Sequence, residues 1–259
     1  MLCHSYELIE MPIDMHPRIV CYPYGEGSSC IYRIENIREM GIENIYSFGK
    51  VQIDRYHVVG KGHAAIIVLA RHRVHGTVAL KIRRMDSKRA SLRDEAKLLE
   101  AIHGYAPRVY LYSDDFIVRE YVDGPTIEEF LKAIRSRNDV ATLIKSLLLA
   151  TYTLDQLNID VGELSRPYRQ VVLLCGDPSK PYFIDLESGR LYYLKPSNVT
   201  RIINFVLFGC VKGSRIRDVL GLDEYRVSLL IELARQYKYS PHASREDILN
   251  RVFSIVGDY

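Results

Sequence analysis

The stretch Val78-Ala79-Leu80-Lys81 is an apolar strand that ends in a lysine. Because such a strand is expected to lie in the hydrophobic core, the ammonium group of Lys81 needs a specific polar environment. The stretch Gly60-Lys61-Gly62 lies upstream in an apolar region, and Glu95 lies downstream on a segment with helical periodicity. Glycines let a backbone approach phosphate closely, and a helix carboxylate keeps a neighbouring lysine aimed at phosphate. In this order the residues predict a phosphate site formed by Gly60, Lys61, Gly62, Lys81 and Glu95. Taken one by one, they also fit a tight turn, a lysine that extends to solvent and a surface glutamate.

The pattern around this site predicts an α+β protein. Strands are expected at 56–59, 66–70, 78–82, 109–112 and 116–120, with a helix from Ser91 to about residue 103 after the third strand. Helical patterns follow near 126–134, 140–157, 200–209, 223–238 and 244–256. We therefore expect a small N-terminal appendage of unknown role at 1–50, a five-stranded antiparallel small lobe at 51–122 and a mainly helical large lobe at 123–259.

Glu120 and Val122 stand at the expected junction between the lobes. The break Asp123-Gly124-Pro125 follows them directly and supports a boundary there. The backbone N–H and C=O groups of these two residues are the predicted contacts to the edge of an adenine ring. Any sequence supplies backbone groups, so this prediction depends on position alone.

Carboxylates dominate the candidate chemistry of the second half. Glu163, in Val161-Gly162-Glu163-Leu164, is the candidate base that orients a hydroxyl group or water and accepts its proton. Asp185 ends the apolar strand 182–184, and a carboxylate leaving a buried strand needs a partner such as Mg²⁺. Glu187 and Gln170 are the further candidate metal ligands. The alternative for Glu163 is a solvated carboxylate on a loop.

Longer motifs accompany these residues: Val59-Gly60-Lys61-Gly62, Leu80-Lys81-Ile82-Arg83-Arg84, Gly162-Glu163-Leu164-Ser165-Arg166-Pro167, Ile184-Asp185-Leu186-Glu187-Ser188 and Lys195-Pro196-Ser197-Asn198-Val199-Thr200. With them, roughly residues 20–210 resemble the predicted archaeal serine/threonine protein kinases, an atypical family similar to RIO kinases and to the small kinase of the KEOPS complex. The resemblance implies a two-lobed protein-kinase-like fold, binding of ATP and Mg²⁺, and Glu163 as the catalytic-loop carboxylate. Val161 replaces a histidine of the family, and Leu186 replaces a phenylalanine.

These observations leave three functions open. The first is an atypical kinase or ATPase that transfers the γ-phosphate of Mg²⁺·ATP to a protein hydroxyl group, to itself or to water. The second is a pseudokinase that binds a partner under the control of ATP, which Val161 and Leu186 favour. The third is an RNA- or ribosome-associated factor, supported by Lys81 to Arg84 and by Lys212, Arg215 and Arg217.

Composition narrows the setting. The chain has 259 residues, 47% of them hydrophobic, and a net charge of +3 with both signs interleaved, so nucleic acid is not a required partner. We expect a cytoplasmic protein without a membrane partner, since no segment approaches a membrane-spanning length. The absence of Trp and the abundance of Arg, Ile and Tyr are typical of thermophilic proteins. Five scattered cysteines without CxxC spacing favour reduced thiols and disfavour a zinc site.

Overall fold

The structure, a computed structural model, describes residues 3, 6–13, 17–133 and 136–257. The chain forms two compact units. The first comprises Met1–Glu100 and Pro107–Tyr121, and the second comprises Ala101–Ala106 and Val122–Tyr259. The fold is α+β, with strands that pair in antiparallel fashion. Within the described ranges, no helix combines the length and the apolar content that a membrane crossing needs.

The first unit combines strands with three helices among its described residues. Its elements are β1 (Ile9–Pro12), α1 (Pro17–Val20), α2 (Ser28–Glu39), β2 (Ile42–Ser47), β3 (Val51–Ile53), β4 (Tyr56–Val58), β5 (Gly60–Lys61), β6 (Ala65–His72), β7 (Gly76–Arg83), α3 (Arg93–Ala101), β8 (Val109–Tyr112) and β9 (Phe116–Arg119).

A seven-stranded sheet organises this unit in the order β1-β2-β6-β7-β9-β8, with β5 paired to β6. The prediction of five strands was wrong because β1 and β2, from the segment read as an appendage, belong to the same sheet. Strand β4, predicted as part of it, instead pairs with β3. Pro12 ends β1 at the sheet edge, where a missing N–H is tolerated.

The core of this unit lies between the sheet and the N-terminal helices. Ile37 of α2 and Leu80 of β7 are fully buried there, and Arg33 of α2 is almost so. Cys21 and Cys30 form a disulfide within this core, with their Cα atoms 5.5 Å apart. The expectation of reduced thiols was wrong for this pair, and also for Cys3 and Cys175, which are disulfide-bonded. The Cys21–Cys30 pairing arises from the packing of α1 against α2 and has no local sequence signature.

The second unit is mainly helical. Its elements are α4 (Ile127–Ala133), α5 (Arg137–Gln156), β10 (Asp160–Val161), β11 (Val171–Leu173), β12 (Pro181–Phe183), β13 (Gly189–Arg190), α6 (Asn198–Phe208), β14 (Cys210–Val211), β15 (Ser214–Arg215), α7 (Ile216–Val219), α8 (Glu224–Tyr239) and α9 (His242–Gly257). The strands form three antiparallel pairs: β10 with β13, β11 with β12, and β14 with β15.

Helix α5 is the central helix of this unit and packs against α6 and α9. It begins at Ser136, whose hydroxyl group accepts a hydrogen bond from the N–H of Asn138. Leu143, Leu147 and Leu154 form its buried stripe, as their spacing predicts. The stripe continues into Asp155, which is fully buried at the end of the helix. A carboxylate on an apolar stripe requires partners, and these lie at the start of α6, in Asn198 and Val199, and on α8, in Tyr237.

Candidate functional site

Lys81 and Glu95 form a buried ion pair in the first unit. Lys81 lies in β7 and its side chain is 3% exposed, while that of Glu95, in α3, is 0% exposed. The ammonium Nζ lies 2.6 Å from Oε1 and 2.8 Å from Oε2 of the same carboxylate. Arg89 approaches that carboxylate from 3.6 Å. The predicted contact between Lys81 and Glu95 is therefore present, and it holds the lysine inside an otherwise apolar sheet.

The glycine-containing stretch lies in register with Lys81. Gly60 is paired with Ile67, and Ile67 is paired with Lys81, so the three residues form one row across β5, β6 and β7. Residues directly opposite in a sheet point to the same face, which places Gly60 about 10 Å from Lys81 on the face that Lys81 uses. Lys61 extends elsewhere, with its Nζ 4.8 Å from the ring centre of Tyr22.

Nothing in the described fold requires glycine at positions 60 and 62. Neither residue has a positive φ angle. A Cβ atom would meet Ile67 at 4.0 Å from position 60 and the Ala65 carbonyl oxygen at 3.5 Å from position 62, both ordinary contacts. The two glycines leave space that the protein does not fill, as expected where a bound group approaches the backbone.

The predicted hinge residues have distinct surroundings. The Glu120 N–H donates to the Arg108 carbonyl oxygen over 2.8 Å, which extends the β8–β9 pairing by one residue. Val122 is 7% exposed. Gly124 has φ +156°, and a Cβ atom there would overlap the Leu173 carbonyl oxygen, so the break after Val122 depends on glycine. Adenine contacts by Glu120 and Val122 stay a prediction.

Gln170 contacts one predicted residue of the second unit, Glu163, and the residue that precedes another, Asp185. Its side-chain Nε2 donates to Oε2 of Glu163 over 2.9 Å. Its carbonyl oxygen accepts from the N–H of Ile184, the residue before Asp185, over 2.8 Å. Because β11 and β12 are paired from Val171–Phe183 onward, Gln170 and Asp185 lie at the same end of this hairpin. Glu163 is exposed and oriented by Gln170, as a general base requires.

Asp185 and Glu187 suit a divalent cation. A carboxylate oxygen of each lies within 4.8 Å of the other. Mg²⁺ binds oxygen at about 2.0–2.1 Å, which puts neighbouring ligand oxygens about 3–4 Å apart, so a small side-chain movement brings both onto one ion. Gln170 retains a buried Oε1 with no hydrogen-bond partner among the described residues, an acceptor that a bound ion or its water would satisfy. The oxygen ligands of Asp185, Glu187 and Gln170 are of the type that Mg²⁺ prefers, and Mg²⁺ binding itself stays a prediction.

Asn198 holds the segment that precedes Glu163, a role the sequence analysis missed. Its Oδ1 accepts from the Val161 N–H over 2.9 Å, and its Nδ2 donates to the Ile159 carbonyl oxygen over 2.6 Å. Asp155 in turn accepts from both the backbone and the side-chain nitrogen of Asn198, at 2.7 and 2.8 Å. The loop is thus fixed through its backbone, although Val161 offers no imidazole. Asp155, next to the apolar stripe of α5, is the one sequence signal of a buried polar partner in this region, and it does not identify Asn198 as that partner.

The network around Asp155 is buried and polar. Burial raises the pKa of Asp155 despite hydrogen bonds from the backbone of Asn198 and Val199 and from the Tyr237 hydroxyl group. Burial also raises the pKa of Tyr237, and the adjacent Asp155 raises it further. Arg245, fully buried, stacks over Tyr237 and donates to the Pro196 carbonyl oxygen over 2.8 Å. The hydrogen bonds among Asp155, Asn198 and Tyr237 favour one arrangement of the loop, whereas Nε and Nη2 of Arg245 are buried without a hydrogen-bond partner among the described residues.

No protein-family model matches this chain, and no curated protein matches it by sequence. The resemblance to archaeal kinases therefore stays an inference from the motifs.

Proposed function

We propose that the protein is an atypical kinase-like phosphotransferase, which moves the γ-phosphate of Mg²⁺·ATP to a serine or threonine hydroxyl group of a protein, of itself, or to water. The proposal includes a two-lobed kinase-like fold, with the sheet-containing first unit as the small lobe and the helical second unit as the large lobe. The buried Lys81–Glu95 pair, in one row with Gly60, is the observation that carries it.

The burial of this pair supports a functional role for Lys81. A buried ion pair is weak support for stability, because desolvation of both groups offsets their attraction and apolar residues often replace such pairs without loss. Two hydrogen bonds from one ammonium to one carboxylate keep the charge at a fixed position. A fixed positive charge beside open backbone is suited to the phosphates of a nucleotide.

The second unit supplies the proposed acid–base and metal-binding groups. Glu163 takes the proton of the attacking hydroxyl group while the oxygen of that hydroxyl group bonds to the γ-phosphorus. The bond from this phosphorus to the β–γ bridging oxygen breaks, and ADP is released. Gln170 orients Glu163, and Asn198 fixes the loop before it. Asp185 and Glu187 would hold Mg²⁺, which neutralises charge on the phosphates when bound.

The fate of the γ-phosphate in a Glu163→Gln variant tests this function. Wild type, incubated with γ-labelled ATP and Mg²⁺, is expected to release labelled phosphate or to incorporate it. The variant should bind ATP as wild type does, but its turnover should be slower by about 100-fold or more, which is the usual contribution of a general base.

Glu246→Gln on α9 is the matched control, since Glu246 is an exposed carboxylate of the same unit, and it should retain wild-type turnover. Equal turnover in wild type and Glu163→Gln contradicts the role of Glu163. ATP binding without any turnover in wild type rejects the enzyme and favours the ATP-controlled pseudokinase.

A further inference from the structure

A cationic cavity lies in the second unit, beside Gln170. Its volume is about 730 Å³, within the range of sites that take a small molecule or a few side chains. Lys132, Arg166, Arg169 and Lys212 contribute positive charge to its lining, and Glu128 is the one carboxylate among its described lining residues. None of these cations has a part in the proposed phosphotransfer, so their convergence calls for a separate explanation.

The lone carboxylate does not neutralise the cavity. Glu128 accepts from Lys132 over 2.6 Å and from Arg169 over 3.0 Å, and these hydrogen bonds lower its pKa. One negative charge is thus shared between two cations. The Arg166 guanidinium is exposed and makes no ion pair with any carboxylate in the described part of the chain. The cavity therefore carries excess positive charge, and a planar guanidinium is a donor matched to carboxylate oxygens.

Hydrogen bonds join the three segments that form the cavity. Helix α4 begins with a capping box, in which Thr126 and Glu129 each accept from the backbone N–H of the other. The Glu128 N–H donates to the Tyr168 carbonyl oxygen over 3.0 Å. The Tyr168 hydroxyl group accepts from the Cys210 N–H over 3.0 Å, which joins the β14–β15 hairpin to the same segment. The walls are therefore held in place without a ligand.

Gln170 connects the cavity with the proposed catalytic residue. It lines the cavity and donates to Glu163. Arg166 is also close to Glu163 along the chain, since its N–H donates to the Glu163 carbonyl oxygen over 3.0 Å. A group bound in the cavity is therefore held next to the carboxylate that would accept the proton of the attacking hydroxyl group.

We propose that this cavity binds an acidic segment of the protein that accepts the phosphate, with Asp or Glu side chains near the reacting serine or threonine held by Arg166, Arg169, Lys132 and Lys212. The proposal rests on the proposed function, because it names the substrate class of the same site. It defines the acceptor by chemistry: a hydroxyl group within an acidic stretch of polypeptide.

Two observations favour an acidic polypeptide over RNA. Single-stranded nucleic acid binds along extended grooves in which bases stack on free aromatic faces. Tyr168 is the aromatic residue of the described lining, and its ring packs edge-on against Phe205 while its hydroxyl group bonds Cys210. Glu128 within the lining would also repel the closely spaced charges of a phosphate backbone, whereas a polypeptide can place its carboxylates away from Glu128, with one of them against Arg166.

Peptide binding without nucleotide tests the site directly. Fluorescently labelled peptides with a central serine are titrated with the full chain, the flanking residues being Asp and Glu, or Asn and Gln, or Lys. The acidic peptide should bind about tenfold or more tightly than the neutral one, and the lysine peptide should not bind. Arg166→Glu and Lys212→Glu should each weaken acidic-peptide binding about tenfold or more, as expected for loss of a charge-assisted hydrogen bond plus repulsion.

The matched control is Arg235→Glu, an exposed arginine of α8 that is not part of the cavity lining, and it should bind the acidic peptide as wild type does. Equal binding of acidic and neutral peptides, or equal loss in all three variants, overturns the proposal. Tighter binding of a polyuridine oligonucleotide, lost in Arg166→Glu, overturns it in favour of RNA.

Phosphotransfer to the same peptides separates this proposal from the proposed function. If the acidic peptide binds through Arg166 and Lys212 but is never phosphorylated, the result supports the cavity as a binding site for acidic segments. The same result rejects the phosphotransferase. Equal phosphorylation of acidic and neutral peptides would support the phosphotransferase and reject the site selective for acidic segments.

Discussion

Lys81 and Glu95 form a buried ion pair whose members can be replaced one at a time or together. Lysine is rarely fully buried, and here its ammonium is placed between apolar strands and a helix with a carboxylate as partner. Removal of one partner leaves a buried charge with reduced compensation, whereas replacement of both leaves an apolar core. A double substitution therefore distinguishes a structural role of the pair from a functional one, because it should restore stability but not phosphate binding.

Lys81→Met should lower the free energy of unfolding by about 3 kcal/mol, because Glu95 keeps only the more distant Arg89. The double variant Lys81→Met with Glu95→Leu should recover at least half of that loss and still fail to bind ATP. Urea unfolding followed by circular dichroism measures the first effect, and calorimetric titration measures the second. Additive losses in the double variant, or ATP binding by it, contradict this interpretation.

At the scale of elements, the sequence predicts best where one local rule decides. Helix α4 begins where Thr126 and Glu129 can cap it, and β6 and β7 form at the apolar runs on either side of the His75-Gly76 turn. Strands β1 and β2 could not be predicted as parts of the sheet, since the segments are short and each pairs with a strand distant in sequence, β1 with β2 and β2 with β6. The role of Asn198 was equally hidden, because its bonds to Val161 and Asp155 span 37 and 43 residues.

The Cys21–Cys30 disulfide is a property of one such element pair, since it joins the end of α1 to α2. A crosslink that closes a loop of this size stabilises a fold by about 2–3 kcal/mol through the entropy of the unfolded chain. We expect Cys30→Ser to lower the melting temperature by several degrees. Cys210→Ser is the control and should melt as wild type does, because Cys210 is a free, exposed thiol. A melting temperature unaffected by Cys30→Ser refutes the contribution of the crosslink.

At the scale of the whole molecule, the proposed chemistry is divided between the two units. The first holds the lysine, its glutamate and the glycines, and the second holds Glu163, Asp185 and the cationic cavity. The order of these residues along the chain was readable from sequence, because each belongs to a short motif. The bracing network and the cavity were not, because they bring together side chains from α4, α5, α6 and the β14–β15 hairpin that share no local pattern.

Calorimetric titration of ATP, with and without Mg²⁺, tests whether the protein binds ATP through a metal ion held by Asp185. Wild type should bind ATP about tenfold or more tightly with Mg²⁺ than without it, and Asp185→Asn should lose that enhancement. Asp247→Asn, an exposed aspartate of α9 in the same unit, should keep it. Two results would contradict this interpretation: wild type that binds no ATP or binds it equally well without Mg²⁺, and an Asp185→Asn variant that keeps the Mg²⁺ enhancement.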